Sequence, residues 1–151
     1  MSKIQKIVSA FDMSDYSEKA LIYACKLADD LKAEIVIVNV VNQRDVDIVY
    51  KLTKQYMNDM TIEDYIKNQE KDRIAIIDNL LKNKTDIQYR KIIKVGIPFV
   101  ELINAIKEEK ADLAVMGTKG RSNIVGAILG TTAEKMFRKC PVPLLSVRRD
   151  D

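Results

Sequence analysis

Leu113-Ala-Val-Met-Gly117-Thr-Lys-Gly120-Arg-Ser-Asn-Ile-Val-Gly126-Ala-Ile-Leu-Gly130-Thr-Thr-Ala-Glu-Lys135 is the stretch from which the fold can be read. Leu113 to Met116 is a short apolar run that suits a buried strand. Glycines then interrupt regular structure, and from Thr131 onward Ala133, Met136, Phe137 and Cys140 recur on one helical face. Val142 to Val147 follows as another strand. Strand, loop, helix and strand in this order make a β-α-β unit, whose two strands run parallel because a crossover helix joins them.

The same alternation extends back to the N-terminus. Ile4 to Phe11 is rich in β-branched residues and reads as a strand. Ser14 or Asp15 offers an N-cap oxygen, with Glu18 at capping-box distance from Asp15, and Ala20, Leu21, Ala24, Leu27, Ala28 and Leu31 continue at helical spacing. Glu34 to Val41 is nearly continuous in Val and Ile, as a strand covered on both faces would be. Ile48, Val49, Leu52, Tyr56 and Met60 mark one helical face, and Ile66, Ile74, Ile77 and Leu81 a second. Asp86 to Val95 reads as a strand ending at Gly96, and Phe99, Leu102, Ile103 and Ile106 form a helical stripe with Pro98 in its first turn. The expected class is therefore α/β: an open, mostly parallel sheet with helices on both faces. Such sheets take ligands at the carboxyl ends of their strands, where the strand order reverses. Here that point falls between the first and fourth strands, which brings Asp12 and the glycine window into one crevice.

The chain has 151 residues, enough for one ordinary domain over 1–151. It contains no histidine, which removes Ser-His-Asp and Cys-His nucleophiles and every His-containing metal or haem site. Cys25 and Cys140 stand far apart, so neither a metal site nor a disulfide framework is expected, and each reads as a small buried hydrophobe. No apolar run approaches the roughly 20 residues of a membrane helix, and no signal peptide follows Met1. A cytoplasmic protein without membrane contact is expected. The 25 basic and 22 acidic residues are interleaved, and aromatics are only 6%. No concentrated basic patch emerges, so nucleic acid is not an expected partner.

The first 95 residues contain neither Gly nor Pro, whereas four of the five glycines crowd the window. Glycines ahead of a helix N-terminus let backbone N–H groups approach an anion without a Cβ in the way, and the helix end adds partial positive charge. Thr131 and Thr132 bring hydroxyls, while Lys119 and Arg121 bring cations. Two familiar phosphate motifs fail. A P-loop needs Gly-x4-Gly-Lys-Ser/Thr, and the dinucleotide fingerprint needs Gly-x-Gly-x-x-Gly after the first strand. Neither is present.

What stands here is Gly117-x2-Gly120-x9-Gly130-Thr131. This resembles the nucleotide-binding signature of the universal stress protein family, Gly-x2-Gly-x9-Gly-Ser/Thr. The resemblance extends over nearly the whole chain: the opening strand before Asp12-Met-Ser, the Val-rich second strand, Lys94-Val-Gly-Ile-Pro98, and the closing Cys140-Pro-Val-Pro-Leu-Leu-Ser-Val-Arg148. It implies a five-stranded parallel sheet of order 3-2-1-4-5, Rossmann-like and of the adenine nucleotide alpha hydrolase type, binding ATP or a related adenine nucleotide, with Mg²⁺ accompanying the nucleotide. By the same resemblance Asp12 holds the adenosine end, and Ala10, Phe11 and Val40 line the adenine pocket. Met116 precedes Gly117 and Gly120 at ribose and phosphate, Lys119 and Arg121 close over the polyphosphate, and Gly130, Thr131 and Thr132 hold the outer phosphates. One position departs: the second residue after Thr131, often Ser or Thr in the family's nucleotide binders, is Ala133.

The family resemblance also implies a homodimer built by pairing Val142 to Val147 with its twin. Fast phosphoryl transfer needs an arranged metal site, and near the window only Asp12 offers a carboxylate, so no catalytic residue is assigned. The expectation is a stress-response regulatory module with at most slow hydrolysis or self-phosphorylation at Ser122 or Thr132. Two rivals are a nucleotide-free dimeric interaction module and an adenylating enzyme of the same superfamily. The latter carries a Ser-Gly-Gly-x-Asp-Ser loop or a His-x-Gly-His signature, where this chain has Ser9-Ala-Phe-Asp-Met-Ser and no histidine.

Overall fold

The computed structural model describes residues 2–56, 59–120 and 128–149. The elements run β1 (Lys6–Ala10), α1 (Asp15–Leu31), β2 (Glu34–Asn42), α2 (Gln43–Tyr56), α3 (Ile62–Leu81), β3 (Tyr89–Gly96), α4 (Pro98–Glu109), β4 (Leu113–Gly117), α5 (Thr131–Lys139) and β5 (Leu144–Val147). All pairings are parallel and the sheet order is β3-β2-β1-β4-β5. The expected class and strand order are both present.

Successive residues of a strand face opposite sides, and this period of two divides the core. Ile7, Ile35, Ile37, Leu113 and Val115 meet α1 and α3 through Leu21, Ala24, Cys25, Ile77 and Leu81. Val8, Val36, Val38, Ala114 and Met116 meet α4 and α5 through Leu102, Ile106, Ala133 and Met136. The inner strands are thus buried on both faces, which is why β2 reads as an unbroken apolar run. Cys25 is part of the first cluster, and burial pushes its thiol up to about 11. No described helix is long and apolar enough to cross a membrane.

Local chemistry corrects several details. The N-cap of α1 is Ser14, whose side chain accepts from the Ser17 N–H; the capping box proposed for Asp15 and Glu18 is not formed. A reciprocal box does start α3, where the Thr61 hydroxyl accepts from the Asp64 N–H and the Asp64 carboxylate accepts from the Thr61 N–H. β3 begins at Tyr89 rather than Asp86, and β5 at Leu144, just after Pro143, which has no N–H to give a ladder. The periodicity from Ile48 to Tyr56 does mark a helix, which ends before Met60, but most of its named face is turned outward. Ile48, Leu52, Tyr56 and Met60 are exposed, and Val46 is the residue α2 buries. Spacing detects a helix without saying which side has a neighbour.

Candidate functional site

Four helices, α1, α2, α4 and α5, bring their first turns to the carboxyl edge of the sheet and surround a cavity of about 330 Å³ over the ends of β1, β2 and β4. Its walls are apolar where the strands end, at Ala10, Val38, Val40, Leu102 and Met116. Its rim is polar, with Asp12, Ser17, Asn42, Arg44, Asp45, Lys119, Thr131 and Thr132. Volume and apolar walls with a few polar groups are those of a small-molecule site.

Every described residue that the sequence singled out lines this one cavity: Ala10, Phe11, Asp12, Val40, Met116, Gly117, Lys119, Gly120, Gly130, Thr131 and Thr132. Arg121 and Ser122 lie outside the described residues. Sequence reasoning missed Ser17, Asn42, Arg44 and Asp45. The signal for the last three was the absence of a loop: α2 starts directly after β2, with the Asn42 side chain accepting from the Arg44 N–H at 3.0 Å, so the first turn of α2 reaches the rim.

The glycine spacing has a spatial meaning. Gly130 donates its N–H to the Thr118 carbonyl at 2.8 Å, closing the loop on the exit of β4. A Cβ on Gly130 would stand 3.2 Å from Lys119 Cα and 3.3 Å from the Gly120 nitrogen, so the two ends of the motif lie against each other. A Cβ on Gly117 would stand 2.9 Å from the Tyr16 backbone, which shows how closely α1 packs on β4. Beyond this junction Gly130 is the N-cap of α5 and brings no side-chain cap, so the N–H groups of the first turn are left to whatever occupies the cavity. Thr131 and Thr132 are the first residues of that turn. Ala133 lines the wall but is also a buried member of the α4–α5 core, so no hydroxyl stands there.

Across the cavity Asp12 is held in one pose. Its Oδ1 accepts from the Ser14 N–H at 3.0 Å and the Ser14 hydroxyl at 2.5 Å, and its own N–H donates to Ser17 Oγ at 3.1 Å. Met13 between them has φ 70°, a left-handed conformation that disfavours a side chain with a Cβ. Oδ2 points at Gly120, where an added Cβ would stand 2.3 Å away. β1 and β4 therefore deliver the carboxylate and the glycine loop to one spot.

Where β1 turns away, β2 exposes backbone. The Phe11 N–H donates to the Val38 carbonyl at 2.9 Å, while the Phe11 carbonyl accepts from the Asn39 side chain at 2.7 Å. Alternate residues of a parallel strand direct both N–H and C=O to the same neighbour, so the next peptide facing this side is that of Val40, at the cavity wall. A donor and an acceptor thus stand at the apolar end, and cationic and N–H groups at the other.

Comparison with known proteins identifies the family. Residues 3–148 match the sequence profile of the Universal stress protein family. The universal stress protein MJ0577 of Methanocaldococcus jannaschii is 28% identical over 156 residues, covering 96% of this chain and 95% of that protein. The solved structure of MJ0577 superposes with a TM-score of 0.76, covering 99% of each chain. A universal stress protein solved in complex with cAMP has a TM-score of 0.65 at 24% identity, covering 97% of this chain and 98% of that one. One from Archaeoglobus fulgidus in complex with dAMP has a TM-score of 0.63 at 16% identity, with 97% and 98% covered. The match of the family profile to nearly the entire sequence, on a sheet of the expected order, establishes that this chain belongs to the universal stress protein family.

Proposed function

We propose that the cavity binds an adenine nucleotide, ATP foremost, and that the protein works as a nucleotide-dependent regulatory module of the stress response in the cytoplasm. The observation that carries this reading is the polarity of the cavity. At one end the uncapped first turn of α5, with Thr131, Thr132 and Lys119, suits phosphate oxygens. At the other, apolar walls beside the Val40 peptide suit a base whose edge carries an acceptor next to a donor. Asp12 stands between them, where a ribose would offer hydroxyls. The relatives solved with cAMP and dAMP support an adenine ligand.

Asp12 and Asp45 are the cavity's carboxylates, and Oδ1 of Asp12 already accepts two hydrogen bonds from Ser14. A Mg²⁺ arriving with the nucleotide would therefore take its oxygens chiefly from phosphate and water. Binding, with at most slow turnover, is the activity assigned. Titration of the purified protein with ATP tests it. At 100 times Kd a single site adds about 2.7 kcal/mol, a rise in Tm of roughly 5–10 °C for a domain of this size. No rise with ATP, ADP, AMP or cAMP, and no nucleotide released from denatured protein, would refute the reading.

We also assign a homodimer through β5. Of the two edge strands, β3 carries Arg90, Lys91 and Lys94, charges that discourage edge pairing, whereas β5 reads Leu-Leu-Ser-Val. The Ala114 N–H donates to Pro143 and the Thr118 N–H to Val147, so residues 143, 145 and 147 face β4. The peptides of Leu144 and Ser146 are left facing outward, toward a second copy.

A further inference from the structure

Along α3 the sheet-facing stripe is Arg73, Ile77 and Leu81, spaced by four. Two members are apolar and packed in the core; the first is an arginine with 4% of its surface exposed. Burying a guanidinium is costly unless its donors are satisfied, and packing alone would be served by Ile or Leu. The contacts of the guanidinium supply another reason. Nη1 donates to Asn39 Oδ1 at 2.8 Å and to the Val40 carbonyl at 3.2 Å. Nε and Nη2 both donate to Gln69 Oε1 at 3.2 Å. The other end of the Asn39 amide donates to the Phe11 carbonyl at 2.7 Å. Phe11 and Val40 both line the cavity, whereas Arg73 comes from α3, whose Ile77 and Leu81 pack in the same core cluster as Phe11. A continuous chain of hydrogen bonds thus links α3 to the point where β1 and β2 part.

We propose that Arg73 is a positioning residue for recognition of the base, acting through Asn39 and the Val40 peptide; this rests on the adenine reading above. A carbonyl oxygen has two lone pairs, and at Val40 Arg73 takes one of them. The peptide is thereby pinned so that its N–H and C=O meet the base in a set register. Adenine presents a ring-nitrogen acceptor beside an amino donor, the complement of that pair. Hypoxanthine presents a ring N–H beside a carbonyl oxygen, the reverse. A peptide free to shift loses the distinction between the two bases, while the phosphate end is untouched.

The test is calorimetric titration of the full chain and its Arg73→Met variant with AMP, IMP and ATP. The parent is expected to favour AMP over IMP. Arg73→Met should lose about tenfold in AMP affinity, the worth of one well-aligned hydrogen bond, with IMP unchanged and the ratio of ATP to AMP affinity preserved. Arg73→Lys should recover part of the AMP preference by reaching one of the two acceptors. AMP and IMP weakening in parallel would make Arg73 merely structural and overturn the proposal, as would an unchanged AMP affinity. Should Arg73→Met fail to fold, Arg73→Lys and Asn39→Ser carry the same comparison. A parent that binds AMP and IMP equally overturns this proposal alone, whereas one that binds none of the three removes the base reading with it.

Discussion

Gly120→Ala tests the contact that joins the two halves of the site. A Cβ there would stand 2.3 Å from Asp12 Oδ2 and 3.5 Å from its Cγ. Carbon contacts settle near 3.5 Å, so the carboxylate must retreat by roughly 1 Å or the loop must lift by as much. Neither has slack. Oδ1 is held by the Ser14 N–H at 3.0 Å and the Ser14 hydroxyl at 2.5 Å, and the loop is closed by the hydrogen bond from Gly130 to Thr118 at 2.8 Å. Disturbing one or two of these bonds costs about 1–2 kcal/mol, which lowers Tm by roughly 2–8 °C in a domain of this size. Thermal and urea unfolding of four proteins decide it: the parent, Gly120→Ala, Asp12→Ala and the double variant. Without a carboxylate at position 12 the new methyl has room, so Gly120→Ala should be nearly free of cost in the Asp12→Ala background. The coupling should equal most of the single-variant loss. Strictly additive losses, or an unchanged Tm in Gly120→Ala, would refute the contact and with it the placement of Asp12 against the loop.

Three other perturbations bear on separate claims. Lys119→Ala should weaken ATP binding far more than adenosine binding in calorimetry, because its charge serves the phosphate end; equal losses for both would move Lys119 to the base end. Ser146→Pro removes an outward-facing N–H from β5 without touching its ladder to β4, as an edge strand tolerates. Sedimentation should then find monomers, and a dimer that persists would exclude that edge as the interface. Arg90, by its hydrogen bond, and then Lys6 hold the Glu109 carboxyl below its ordinary range. A carboxyl lowered on folding contributes stability above its unfolded value, and that contribution is lost as pH falls through the lowered one. Glu109→Gln should thus be less stable than the parent at pH 7, with the gap closing as pH drops below about 4. A gap that stays constant down to pH 2 would contradict the assignment.

The alternation of strands and helices, the parallel sheet and the spacing of the glycine motif are legible in the residues alone, because each rests on local or periodic properties. A run such as Ile35 to Val41 must be covered on both faces wherever it lies. The same locality explains what could not be read. That the α2 face at Ile48, Leu52 and Tyr56 points outward depends on what α2 has beside it, and periodicity carries no such information. Arg73 resembles any helical arginine until the fold sets it beneath Asn39 and Val40, and Arg44 joins the rim only because α2 begins where β2 stops. The resemblance assigned Gly117, Gly120 and Gly130 to a ligand, whereas tertiary packing also gives each a protein neighbour: Tyr16, Asp12 and Lys119. Those contacts join residues distant along the chain. Only the closing of the sheet, β4 beside β1, makes them neighbours.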